Sequence, residues 1–206
     1  MEKGSKVKYT FQICVASAEH IPFSETISRL IEHAAIARGT GIAKRTPEYI
    51  TRKIMEGKSI IAFGNNDNLA GYCYIETWDH GKYVANSGLI VAEEYRGMGL
   101  SKQIKKAAFN LSRKKYPKAK LFGITTSPAV IKINSQLGYR PVGFTELTTD
   151  EEFWCGCQSC TNYDILLRTS RKLCLCTGML YDPAEKLEPL ILDITEDEKT
   201  KSSISV

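Results

Sequence analysis

Apolar positions along the chain fall into short runs and helical stripes that alternate. Residues 9–16 read as a first strand, and residues 59–63 as a second, short and apolar after Ser59. Between them Ser24 is placed to cap a helix carrying Ile27, Leu30, Ile31 and Ala34 on one face. A further helix is bracketed by Thr46-Pro47 at its start and Gly57 at its end. Residues 69–78 alternate, with Tyr72, Tyr74 and Glu76 on one face and Cys73, Ile75 and Thr77 on the other. A turn at 79–82 returns the chain along 83–91. Leu100, Ile104, Ala107, Ala108 and Leu111 then recur at helical spacing. Strands at 121–125 and 142–144 flank a helix at 128–136.

The organising stretch runs from Gly88 to Phe109. Its apolar strand ends at Val91, breaks at Arg96-Gly97-Met98-Gly99, and resumes as a helix. A helix start has unbonded N–H groups and a partial positive charge. A glycine beside it lets an anion approach the backbone. No Gly-Lys-Ser/Thr closes the stretch, so it is not a P-loop, and the third glycine of a dinucleotide fingerprint is missing.

Charge agrees with an anion site. The 206-residue chain has a formal net charge of +5. No acidic residue occurs between Glu94 and Glu146, while the same interval holds Arg96, Lys102, Lys105, Lys106, Arg113, Lys114, Lys115, Lys118, Lys120, Lys132 and Arg140. Such a one-sign field attracts a polyanion. Nucleic acid is the less favoured ligand, because no recognised nucleic-acid module accompanies the basic residues. The N-terminus has no apolar leader and no run reaches membrane-spanning length, so a cytoplasmic protein is expected.

Arg96-Gly97-Met98-Gly99-Leu100-Ser101 resembles the pyrophosphate loop of the GNAT family of N-acetyltransferases, with Ser101 where the family has Gly or Ala. The order of elements over about residues 8–147 is similar to that family's. The resemblance implies an α+β (α/β) fold with a mixed, mostly antiparallel sheet flanked by helices. It also implies acetyl-CoA as co-substrate. Leu89, Ile90 and Val91 would hold the pantetheine arm, and the amides of Arg96 to Ser101 the pyrophosphate. An amine acceptor would attack the thioester directly. The family's usual tyrosine acid is replaced by Asn134, which cannot donate a proton but can hydrogen-bond the cofactor. Glu76 is the first candidate base, ahead of Glu93, Glu94 and His80. Basic residues at Arg38, Lys44 and Arg45 would suit a small amine bearing carboxylates, such as glutamate. The competing reading is a non-catalytic module that binds coenzyme A or nucleic acid. A homodimer is the candidate assembly.

Residues 1–147 are expected to form the transferase domain, 148–193 a Cys-rich extension packed on it, and 194–206 a flexible tail. Five of the seven cysteines lie between Cys155 and Cys176. Cys157, Cys160, Cys174 and Cys176 have spacing that suggests structural zinc, with Cys155 as a spare. Small buried hydrophobes and a redox pair are the alternatives. Residues 149–154 read as a short capped helix, residues 162–168 as a strand, and Cys174 and Cys176 as part of a strand-like run ending at Asp182-Pro183.

Overall fold

A computed structural model describes residues 10–39 and 45–185. Tyr9, Lys44 and the expected tail lie outside these residues. One sheet of seven strands runs through the molecule: β1 (Gln12–Val15), β2 (Ser59–Phe63), β3 (Leu69–Trp78), β4 (Tyr83–Val91), β5 (Lys120–Thr125), β6 (Arg140–Val142) and β7 (Thr177–Tyr181), in the order β1-β2-β3-β4-β5-β7-β6. Every neighbouring pair is antiparallel except β4 and β5, which are parallel.

Two helices cover one face: α1 (Ser24–Arg38) and α2 (Pro47–Met55). Ile27, Ile31, Ile50 and Ile54 pack there against Ile61, Tyr72, Tyr74 and Ile90. Thr46 caps α2 as its sequence demands, accepting from the Tyr49 N–H. Ser24 does not cap α1. It is the first helical residue after a 3-10 turn at Ala18–Phe23, and its hydroxyl accepts from Thr51 of α2.

The opposite face is covered by α3 (Leu100–Lys115), with α4 (Pro128–Gln136) beside it. Ile104, Ala108 and Leu111 meet Cys73, Ile75, Val84, Leu121 and Met179. Strand alternation sends Tyr72 and Tyr74 to one layer and Cys73 and Ile75 to the other, as the period of two requires.

β6 and β7 are antiparallel neighbours, yet more than thirty residues join them. That connection carries two short helices, α5 (Glu151–Cys155) and α6 (Tyr163–Arg168). The expected strand at 162–168 is therefore a helix. Leu166 is its buried residue, packed in a cluster with Phe122, Phe144, Trp154 and Leu180. Its short apolar run fits a buried helical turn as well as a strand, and periodicity cannot separate them. Phe122 and Leu180 alternate with Leu121 and Met179, so this cluster lies on the α1–α2 face. The expected strand at 142–144 stops at Val142, and Phe144 turns into the same cluster. Cys174 and Cys176 precede β7 and are not part of it.

Candidate active site

The parallel strands β4 and β5 pair only at Tyr83 with Lys120, Val84 with Leu121 and Ala85 with Phe122. Beyond that point β4 stays with β3 as far as Val91, and β5 stays with β7 as far as Thr125. The two strands therefore part, and each leaves backbone groups facing the gap. A cavity of about 480 Å³ lies over the gap, between α2 and the β6–β7 connection. Asn86, Ser87, Gly88 and Leu89 line one side, and Gly123, Ile124 and Thr125 the other.

A bulge aims this part of β4. Gly88 and Leu89 together oppose Cys73, where the β3–β4 register shifts. Gly88 has φ +65°, and a Cβ there would run into the Tyr74 ring. Glycine is required on both counts.

The loop after β4 is exposed from Arg96 to Gly99, while Leu100 is buried and anchors α3. Gly97 and Gly99 have φ +78° and +77°, and Gly99 is the residue that caps α3. Among the described residues nothing lies within 4 Å of where a Cβ would stand on either, which leaves open space before the backbone. No acidic residue occupies the first turn of α3. Among the expected cofactor residues, Leu89 lines the cavity. Ile90 is buried beneath α1 and α2, Val91 is half-buried, and the loop from Arg96 to Ser101 stands beyond the cavity at the end of β4.

At the other end Glu76 is held on both oxygens. Lys53 Nζ stands 2.6 Å from Oε1, and the Tyr49 hydroxyl donates to Oε2 at 2.6 Å. Arg45 Nε donates to the Tyr74 hydroxyl at 2.6 Å, and the guanidinium lies over the Tyr49 ring at 4.8 Å. Burial, followed by the neighbouring Tyr74 and Glu76, pushes the Tyr49 phenol far above its usual pKa. Burial alone would lower the pKa of Arg45, but Tyr74, Tyr49 and Glu76 hold it above its usual value. Arg45, Tyr49, Arg52, Tyr74, Glu76 and Trp78 all face the cavity. Glu93, Glu94 and His80 are exposed and do not line it.

Asn134 lies on α4 at 1% exposure and lines the cavity. Among the described residues its buried Oδ1 finds no hydrogen-bond partner, nor does Nε1 of Trp78. A buried acceptor without a donor is costly, on the order of 1–3 kcal/mol. Tyr139 is core, at 4% exposure, and its hydroxyl donates to Asn86 Oδ1 at 2.8 Å.

Sequence reasoning passed over Lys105. It is 2% exposed, lines the cavity, and donates from Nζ to the Asn86 backbone carbonyl at 3.1 Å. Its signal was position: Lys105, Ala108 and Ser112 share one helical face, and both partners are fully buried. Tyr49, Arg52, Lys53 and Trp78 were also passed over.

Cys157, Cys160, Cys174 and Cys176 all line the cavity wall formed by the β6–β7 connection, while Cys155 is exposed. Zinc finds no support here. Among the described residues no group of three or more His, Cys, Asp or Glu is placed to hold a metal ion. Cys157, Cys174 and Cys176 instead pack against the apolar cluster around Trp154. Burial and the neighbouring thiols push Cys157 up to about 11 and Cys176 up to about 12, so both stay protonated at neutral pH. Among the described residues no helix is long and apolar enough to cross a membrane.

A model of the Acetyltransferase (GNAT) family matches residues 32–139, just over half of the chain. No match was found among curated proteins. N-acetylglutamate synthase from Neisseria gonorrhoeae, complexed with coenzyme A and N-acetyl-glutamate, shares the fold with a TM-score of 0.59 at 16% identity. The match covers 85% of this chain but only 36% of the synthase. A Mycobacterium tuberculosis protein in complex with CoA and NLQ gives 0.59 at 14% identity, covering 83% of this chain and 98% of its own. The protein yncA from Salmonella typhimurium, with its cofactor acetyl-CoA, gives 0.57 at 15% identity, covering 87% and 98%.

Proposed function

The chain belongs to the GNAT family of acetyltransferases and is an enzyme of that class; from that premise we propose that it acetylates a small amine bearing carboxylates, of the glutamate type, by direct attack on acetyl-CoA. The observation that carries the reading is the parting of β4 and β5 over a cavity, with an open glycine loop at the far end of β4. The pantetheine arm takes the place of the missing strand pairing and satisfies backbone groups of Ser87 to Val91. The pyrophosphate rests on amides of the loop from Arg96 to Ser101. Asn134 Oδ1 accepts from an N–H of the arm, which relieves its unpaired state.

The acceptor enters between α2 and the β6–β7 connection. Arg45 and Arg52 face it there and suit a carboxylate. The gonococcal relative holds N-acetyl-glutamate, which supports the same acceptor class. Lys53 and Tyr49 fix the Glu76 carboxyl at the cavity wall, where it draws the acceptor ammonium and takes its proton through water.

The test is thiol release from acetyl-CoA with a panel of amino acids and plain amines, alongside calorimetry of acetyl-CoA binding. Turnover is expected with dicarboxylic amino acids and not with amines lacking a carboxylate. Tight binding with no turnover across the panel returns the chain to a non-catalytic coenzyme A module.

A further inference from the structure

A lysine is an unusual occupant of a sheet–helix core, and Lys105 stands at an informative place in it. Asn86 is the first residue of β4 past its last pairing with β5. Its carbonyl is held by Lys105 Nζ at 3.1 Å, so the ammonium stands where the two strands begin to part. Lys105 lines the cavity at 2% exposure. The Asn86 side chain is itself fixed, donating to Ser112 at 2.8 Å and accepting from Tyr139 at 2.8 Å.

An acid at this place speeds the reaction. Attack on a thioester ends with the C–S bond breaking and its electron pair passing to sulfur. Asn134, where the family has a tyrosine, has no proton to give. The arm running along Ser87 to Val91 brings its thioester to the vertex of the gap. We propose that Lys105 is the proton donor to the departing coenzyme A thiolate, an inference that rests on the acetyltransferase reading above. As the tetrahedral intermediate collapses, one Nζ proton passes to sulfur and gives the free thiol and a neutral amine. A proton from solvent entering the cavity restores the ammonium.

The surroundings suit that role. No carboxylate pairs with Lys105 among the described residues, so its proton is not locked in an ion pair. Burial lowers its pKa from the ordinary lysine range, and the Cys73 thiol on β3 is the neighbour that raises it. The remaining titratable groups on the cavity wall are Glu76, Tyr49, Tyr74, Arg45 and Arg52 towards α2, with Glu152, Tyr163 and the thiols on the β6–β7 connection.

The experiment compares kcat against pH at saturating acetyl-CoA for the wild-type chain, Lys105→Met and Lys105→Arg, with melting temperature and acetyl-CoA affinity measured on each. The wild type should lose kcat on an alkaline limb as Lys105 deprotonates. Lys105→Met should lower kcat about 10²-fold, the low end for general acid catalysis, because a thiolate leaves reasonably well unaided. Its KM for acetyl-CoA should hold, and its melting temperature reports the net of two opposed changes: a buried amine is removed, and the Asn86 carbonyl loses its donor. Lys105→Arg keeps the charge but surrenders no proton, so it should also be slow and should lack the limb. Wild-type turnover in Lys105→Met, or an alkaline limb that survives it, overturns the inference alone. If Lys105→Met does not fold, a wild-type kcat that is flat through the alkaline range overturns it equally. A wild-type chain that binds acetyl-CoA and acetylates no amine overturns this inference and the acetyltransferase reading together.

Discussion

The two ends of the cavity are built from different materials. On the proposed reading the working groups of the cofactor end are backbone: the edge of β4 beyond its pairing with β5, the bulge at Gly88, and the loop with Gly97 and Gly99 at positive φ. At the acceptor end they are side chains from separate segments: Arg45, Tyr49 and Arg52 from the α2 region, Glu76 and Trp78 from β3, and Asn162, Tyr163 and the thiols from the β6–β7 connection. A backbone site makes the same demand of any sequence, namely no Cβ and the right φ. A side-chain site can be assembled in many ways, each with its own specificity. On the reading proposed above, the first end would fix which cofactor is bound, and the second what is acetylated.

The sharpest way to break that division is at Gly99. At φ +77° a β-branched residue is strained, and its side chain would fill the space before the amides. Gly99→Val should abolish measurable acetyl-CoA binding by calorimetry. The strain at this helix cap, on the order of 1–2 kcal/mol, should lower the melting temperature by several degrees while the fold survives. Unchanged affinity would mean that the loop does not hold the pyrophosphate. Arg45→Gln makes the matching change at the other end. A hydrogen bond to a charged group contributes about 1.5–3 kcal/mol, so the acceptor KM should rise roughly 10- to 140-fold for a dicarboxylic amino acid. Acetyl-CoA affinity should stay the same. A fall in both affinities together would show that the two ends are one site.

The same contrast explains how far the sequence could be read. β2, β3, β4 and α4 end where alternation, helical spacing, Asn-rich or Gly-containing turns and Ser127-Pro128 place their limits. The glycine loop was legible because its spacing is a backbone requirement. Residues 162–168 were not, because seven residues with a short apolar run satisfy either period. The insertion of β7 between β5 and β6 was also hidden, since strand order depends on contacts remote in sequence. Glu76 was singled out through the resemblance, by its place late on the strand before the central pair, but its partners Lys53 and Tyr49 come from another element. Lys105 was counted as one lysine in a basic field, when its helical face pointed inward.

Asn134 sharpens the comparison from the middle of the cavity. Its neutral acceptor should contribute about 0.5–1.5 kcal/mol to cofactor binding. Asn134→Ala should therefore weaken acetyl-CoA about 2- to 13-fold, leaving acceptor KM and the alkaline limb of kcat in place. Loss of that limb would make Asn134 part of the proton path, against its chemistry.

The smallest effects are expected at the thiols, which test whether the acceptor-side wall is inert packing. Thiolate is the reactive form, and a thiol with a pKa near 8.5 is about one-quarter thiolate at pH 8. Cys157 and Cys176, held up to about 11 and about 12, should react at pH 8 on the order of 10²–10³ times more slowly than an ordinary free thiol, while Cys155 is exposed to the reagent. Alkylation mapped by mass spectrometry against time should place Cys155 first, with turnover preserved after one label. Linkage gives a second check. Between about pH 8.5 and about 11 the unfolded chain has lost thiol protons that the folded chain keeps. The native state then binds more protons, so this contribution to stability falls as pH rises through that window. Cys157→Ala and Cys176→Ala should flatten the fall. A chelator should leave the melting temperature unchanged if the wall is only packed thiols. About one zinc per chain, with four thiols protected until it is removed, would instead make the wall a metal-stapled element whose stability sets the shape of the acceptor end.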